Sequence, residues 1–304
     1  MSPLLNKIMT WLSPTPLNVG VAIDRQRVSV VCADATGVVV GQTTILMASP
    51  CFTGDVTAEI QVELDAAFQR VAAAYGARCP RVQIVLPDAA VTWRVFNLEH
   101  KPQKARDTTT LARWRIAKET GAQADTLCCA WQWLDAGDTT QRLLAIAFNR
   151  QWAEAIRQAS WRAGLLPHTI AAGAVYVWND LQTRFPALRN VAILRIDTQQ
   201  WTVMLITKGV VEYVHGRWRR AETDVNEIAS ITAQSIKAFV CAETDNVIDE
   251  LIVTGYENDA RPVMEALKKS HQYAPRWIQP APCATLNGDE QPSDLAACAA
   301  VEAR

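Results

Sequence analysis

The stretch Val19–Val31, VGVAIDRQRVSVV, reads as a strand, a tight turn and a second strand. A second stretch, Val191–Gly209, VAILRIDTQQWTVMLITKG, repeats that layout. Both turns carry an aspartate, Asp24 and Asp197, a residue that tolerates hairpin turns well. The surroundings repeat too. Around the first hairpin lie apolar, β-branched runs at 18–24, 27–33 and 37–47, then an amphipathic helix at 57–76 with Ile60, Leu64, Phe68, Val71 and Tyr75 on one stripe. Around the second lie strands at 191–196, 201–206 and 209–215, then a long helix with the stripe Val225, Ile228, Ile231, Ile236 and Phe239. Asp224, with Glu227 three residues on, caps that helix. A β-β-β-α order recurring at this length is a duplication of a whole domain rather than a short repeat.

The rest of the chain fills in around the two halves. VQIVLP (82–87) and VTWRVFNL (91–98) read as strands, 111–121 as a helix, and LCCAWQWL and RLLAIAF as two more strands. A helix at 150–164 closes on Gly164, a short link follows, and another helix runs over 172–184. In the second half DELIVTG (249–255) is a buried strand, followed by a helix at 259–269, a Pro-rich loop near 275–282 and an Ala-rich helix at 293–303. The expected division is an N-terminal extension (1–17), a first domain (18–87, completed by 165–189), an inserted α+β subdomain (88–164) and a second domain (190–304).

Composition narrows the function classes. The 304 residues are 49% hydrophobic and 20% charged, with a net charge of −1. That balance gives no general attraction to nucleic acid or anionic lipid. No apolar run approaches the roughly 20 residues that span a bilayer. The opening MSPLLNKIMTWLSPTP has one lysine and no uninterrupted apolar core, so it is not read as a secretory signal, and a cytoplasmic chain is expected. Leu4, Leu5, Ile8, Met9, Trp11 and Leu12 would share one face of a helix ended by Pro14 and Pro16. That stripe is read as an extra helix on the domain, with docking at a membrane interface as the alternative. The eight cysteines show no CxxC spacing and the four histidines are scattered, which argues against a zinc site and for buried reduced thiols. No phosphate-loop, dinucleotide or nucleophile-elbow motif is present. GRWRRAE (216–222) gathers three arginines around a tryptophan, read as a solvated strand end.

Three meandering strands and a helix, occurring twice, resemble the actin-like superfamily of sugar kinases, heat-shock 70 proteins and actin. Over residues 18–304 the chain is more closely similar to the PilM family of type IV pilus assembly proteins, with relatives in type II secretion and mannose-sensitive pilus systems. VQIVLPDAAVTWRVFNL resembles that family's strand pair leading into its inserted subdomain, and LARWRIAKETGAQADTLCCAWQWLD the helix-loop-strand that follows. LLAIAFNRQWAEAIRQASWRAGLLPHTIAAGAVYVWNDL, with its Ala-Gly-Leu-x-Pro turn, is the most specific segment, and DLAACAAVEAR resembles the terminal helix.

The resemblance also exposes departures. Nucleotide-binding members carry Gly-x-Asp-x-Gly-Ser in the first loop; here Gly20 matches, Ala22 stands at the acid and Asp24 at the glycine. The second loop, Asp-x-Gly in the family, is Arg195-Ile196-Asp197, and the adenosine-side Gly-Gly is Gly255-Tyr256. A register shifted by two restores an acid in both loops but puts Gln26 and Gln199 at the glycines. The distance from Arg195 to the hairpin Gly209 favours the first register. Either way the glycines are gone. An aspartate there obstructs close approach of a phosphate, and at about 4 Å and an effective dielectric near 20 it repels one by roughly 4 kcal/mol. Losing the acid removes an oxygen ligand or water holder for Mg²⁺.

The resemblance therefore implies a non-catalytic scaffold without a cofactor, at the inner face of the inner membrane. It would bind the short N-terminal tail of a PilN-like bitopic protein in a groove beside the inserted subdomain, roughly 88–170, and work with other pilus assembly components. Trp93, Arg94, Trp114 and Arg115 are the candidate contacts. An ATP- and Mg²⁺-binding ATPase of the same fold with altered loops is the alternative. A carbohydrate or acetate kinase of the superfamily is a third reading, which the inserted subdomain disfavours.

Overall fold

The β-branched runs of the sequence become two sheets of five strands each. The computed structural model describes residues 18–34, 39–76, 81–134, 141–220, 223–242, 247–271 and 273–278. The N-terminal stripe and the Ala-rich helix at 293–303 lie outside the described residues. The first sheet has the order β3-β2-β1-β4-β8 and comprises β1 (Asn18–Ile23), β2 (Arg27–Ala33), β3 (Val39–Leu46), β4 (Arg81–Leu86) and β8 (Leu166–Ala172). The second has the order β11-β10-β9-β12-β13: β9 (Val191–Ile196), β10 (Gln200–Thr207), β11 (Val210–Trp218), β12 (Glu250–Gly255) and β13 (Arg276–Trp277). In both, the first three strands are antiparallel and the last two are parallel to the first, so the halves match strand for strand.

Helices repeat in step. Helix α1 (Ala58–Val71) follows β3, starting where Thr57 Oγ1 accepts the N–H of Ile60 at 3.3 Å, and buries Ile60, Leu64, Phe68 and Val71. Its counterpart α5 (Val225–Ala242) follows β11, with Asp224 Oδ1 accepting from Asn226 N at 3.1 Å. In the second half β12 runs directly into α6 (Glu257–His271); in the first, an insertion separates β4 from α3 (Arg150–Arg162). After α3 come Gly164 in the left-handed conformation (φ +76°), β8 and α4 (Gly173–Arg184). The insertion holds a three-stranded antiparallel sheet, order β5-β7-β6, built from β5 (Thr92–Leu98), β6 (Leu127–Leu134) and β7 (Gln141–Asn149). Helix α2 (Ala105–Thr120) covers one face, where Ala112 and Ile116 meet Phe96, Leu98, Leu143, Ala145 and Ala147.

Two details differ from the sequence reading. The link at 165–171 is the edge strand β8, parallel to β4; its Pro167 masks a strand in a sequence, yet an edge tolerates it. Helix α2 begins six residues before the expected 111, through Thr108, Thr109 and Thr110, whose hydroxyls donate to the carbonyls four residues earlier.

Among the described residues the chain forms two compact units. One comprises the segments up to Leu86 and Ala155–Tyr176; the other comprises Pro87–Glu154 and the chain from Val177 onward. The inserted sheet thus belongs with the second half, because the turn that opens it is anchored there.

Candidate functional site

The two hairpin turns have the same hydrogen bonds. Asp24 N donates to Arg27 O (2.8 Å) and Asp197 N to Gln200 O (2.9 Å). Each aspartate accepts the next N–H through Oδ1, from Arg25 at 2.7 Å and from Thr198 at 2.8 Å. The carbonyls of Gln26 and Gln199 both accept from the residue after the third strand, Met47 and Arg219. Asp24 and Asp197 are therefore equivalent, as are Ala22 and Arg195. Gly20 lies within β1, opposite Val31 and Gln83. In the first unit the carboxylate of Asp24 also meets Arg27 at 3.5 Å. The Cys51 thiol is pushed up to about 12, by burial and then by Glu63 and Asp24, so it stays protonated and inert.

In the second unit the turn belongs to a buried ionic cluster. Arg195, in β9, and Asp197, the first residue after it, are two apart in sequence, and their side chains meet. Arg195, only 2% exposed, donates to Asp197 Oδ2 at 2.9 Å and to Asp88 Oδ2 at 3.2 Å. Thr202 Oγ1 donates to the same Asp88 oxygen at 2.9 Å, and both aspartates are fully buried. Register explains the convergence. Gly216, Thr202, Arg195 and Thr254 form one row across β11, β10, β9 and β12. At the Gly216 end the row has no side chain, and the backbone of Asp88 and Ala89 sits there. A Cβ on Gly216 would stand 2.4 Å from the Asp88 carbonyl carbon. Gln200 Oε1 accepts from Ala89 N at 3.2 Å, so the Pro87–Ala90 turn is held by side chains and main chain alike. Asp88, Thr202, Gln200 and Gly216 carried no role in the sequence reading. The available signal was Arg195 itself, since a charged residue inside VAILRI requires a buried partner.

Gly255 ends β12 with φ +137°, and a Cβ there would lie 2.1 Å from Ile196 O. Backbone proximity to β9 is enough to require glycine at this place. Tyr256 precedes α6, its carbonyl accepting from Asp259 N and Ala260 N. The first turn of α6 carries Glu257 and Asp259, the latter paired with Arg219.

The remaining candidates lie on the inserted sheet. Trp93 is buried (6% exposed): strand alternation turns it away from α2 and into the interior. Arg94 pairs with Glu119 at 2.7 Å, and Arg115 donates to Asn97 O at 3.4 Å and lies over the Phe96 ring, so both tie α2 to β5. Trp114 is 53% exposed, with the Lys118 ammonium 5.2 Å from its ring centre. On β11, beside β5, Arg217 Nε donates to His215 Nε2 at 2.8 Å; burial, then Arg217 and Arg94, hold that imidazole below its usual pKa.

A cleft of about 660 Å³ lies at the other end of β12, lined by Ile236, Lys237, Val240, Glu250, His271 and Tyr273, away from the hairpin turn. Among the described residues no group of three His, Cys, Asp or Glu side chains is arranged to hold a metal ion.

No protein-family model and no curated protein sequence matches the chain. Solved structures do. The structure titled PilM-PilN type IV pilus biogenesis complex superposes with a TM-score of 0.72 at 13% identity, covering 94% of this chain and 97% of that one. The fold is actin-like. A Bacteroides thetaiotaomicron protein described as having an actin-like ATPase fold and unknown function matches over 100% of both chains (TM-score 0.55, 9% identity). The cytoplasmic domain of EpsL, an inner membrane component of the type II secretion system of Vibrio cholerae, matches over 94% of this chain and 93% of its own (TM-score 0.53, 11% identity). The actin-like halves of this chain are its two five-stranded sheets with their helices, and the inserted sheet lies in the chain between β4 and α3.

Proposed function

We propose that this chain is a non-catalytic scaffold of a type IV pilus inner-membrane assembly platform. It acts at the cytoplasmic face of the inner membrane by capturing the N-terminal tail of a PilN-like bitopic protein. The observation that carries the reading is the end-to-end likeness to a chain solved as a PilM-PilN complex, inserted subdomain included. Among the described residues no helix is long and apolar enough to cross a membrane, so attachment is assigned to the partner.

The loops support the non-catalytic part. A nucleotide phosphate does not fit the second turn as built: Asp197 is engaged with Arg195, Arg195 with Asp88, and both lie inside the protein. The N-terminus of α6 carries two carboxylates, where a bound phosphate would need its positive dipole end. Calorimetry or thermal melting with millimolar Mg-ATP is therefore expected to show no effect, since saturating binding raises stability by RT ln(1 + [L]/Kd). A clear upward shift, abolished by altering Asp24 or Asp197, sustains the ATPase reading instead.

The capture itself is tested with a peptide from the cytoplasmic tail of the partner encoded beside this gene. Binding is expected in the micromolar range, because ordering a flexible segment consumes several kcal/mol, about 2–5, of the gross interaction energy. Trp114→Ala should weaken it by roughly 30-fold, equivalent to about 2 kcal/mol, as for a central aromatic anchor. Slowed amide exchange should appear over 91–98 and 111–118. A peptide that fails to bind the wild-type chain at hundreds of micromolar removes the mechanism, leaving the fold untouched.

A further inference from the structure

We infer that the cleft at the start of β12 binds a small amphiphilic anion, a carboxylate or phosphate head carried on an apolar body. The cleft belongs to the second unit alone, and its use does not depend on the scaffold reading. Its volume of about 660 Å³ falls in the range of small-molecule sites, roughly 300–1,000 Å³. It is lined by α5, by the chain entering β12, and by the end of α6 with the residues leading to β13. Ile236 and Leu251 give it a buried apolar surface. That surface opens to solvent at Val240, 39% exposed, and near Val247, 48% exposed and one residue before the lining Ile248. Covering it with apolar atoms is favourable.

Charge selects the head group. Four lining side chains are acidic or basic: Lys237, Asp249, Glu250 and His271. Both carboxylates are engaged, Asp249 accepting from Asn190 Nδ2 at 2.9 Å and Glu250 paired with Arg276. Lys237 and His271 have no side-chain hydrogen bond or ion pair among the described residues. Helix dipoles do not account for both. The last turn of α6 carries Lys268 and Lys269 beside His271, so its carbonyl end is already met by cations. Lys237 stands before the last turn of α5, which has no basic residue. Tyr273 adds a phenol that burial holds above its usual pKa, so it stays protonated and able to donate. An ammonium and a phenolic hydroxyl beside an apolar surface suit a carboxylate or phosphate oxygen, whereas a cationic head would meet like charge.

Calorimetry of the full chain with decanoate, decyl phosphate and decylammonium, each at submillimolar concentration, tests the inference. At least one of the two anions is expected to bind with a Kd of about 0.1–1 mM, the scale for a ligand this small. The tighter of the two identifies the head group, and decylammonium should bind at least about tenfold more weakly than it. Amide shifts on binding should centre on 233–241, 248–251 and 273–274. Lys237→Gln with His271→Gln should weaken the anion about tenfold while the melting temperature stays in place, and Lys237→Arg should retain binding. Val240→Glu, which sets a carboxylate at the mouth, should abolish it. No binding of either anion, decylammonium binding as tightly, shifts centred elsewhere, or an affinity indifferent to the double substitution overturns the proposal.

Discussion

Arg195→Ala is expected to lower stability by about 3–5 kcal/mol, the scale for breaking a buried ion pair by removing one partner. The guanidinium meets Asp88 and Asp197, and neither carboxylate has solvent to fall back on. Alanine at this place also empties the middle of the row between Thr202 and Thr254. The loss should appear as a lower urea midpoint. Because Asp88 opens the inserted subdomain, faster amide exchange at the Pro87–Ala90 turn should accompany it. Adding Asp88→Ala to Arg195→Ala should recover part of the loss, since the second change removes a stranded buried charge; non-additivity of this kind marks residues in one network. A loss below about 1 kcal/mol, within the range of exposed pairs, would sink the claim that the cluster anchors the turn.

Gly255→Ala should cost about 3 kcal/mol or more, from two sources that add. An L side chain rarely adopts φ +137°, and the new methyl would overlap Ile196 O, only 2.1 Å away. Since β9 and β12 are neighbours in the middle of the second sheet, the overlap cannot be relieved at a surface. Gly54→Ala is the control: nothing lies within 4 Å of its Cβ position, and a change within about 0.5 kcal/mol is expected. Melting curves of the two variants compare them directly. Equal stability would mean that Gly255 is retained for some reason other than the approach of β12 to β9.

Sequence showed the duplication because hairpins and amphipathic helices are local, and both halves carry uninterrupted patterns such as VGVAI and VAILRI. It hid β8, whose Pro167 and polar residues belong to an edge. It gave Asp24 and Asp197 as turn residues, and their side chains accept the next N–H as turn aspartates do. The partner of Arg195 was out of reach, since Asp88 lies 107 residues away and only the packing of Gly216 brings it in. Tryptophan content alone did not separate surface from interior. Trp93 is on a strand face turned inward, and Trp114 is on the solvent side of a helix.

The seat at Gly216 also sets where a mechanical load goes. The inserted sheet joins the chain through Pro87, directly after β4, yet Asp88 is held by β9 and β10, and Arg142 of β7 is paired with Glu212 of β11. A pull on β5 or β7 within this unit therefore meets two side-chain fastenings, Asp88 at Arg195 and Thr202 and Arg142 at Glu212, and is shared among the antiparallel strands β9, β10 and β11.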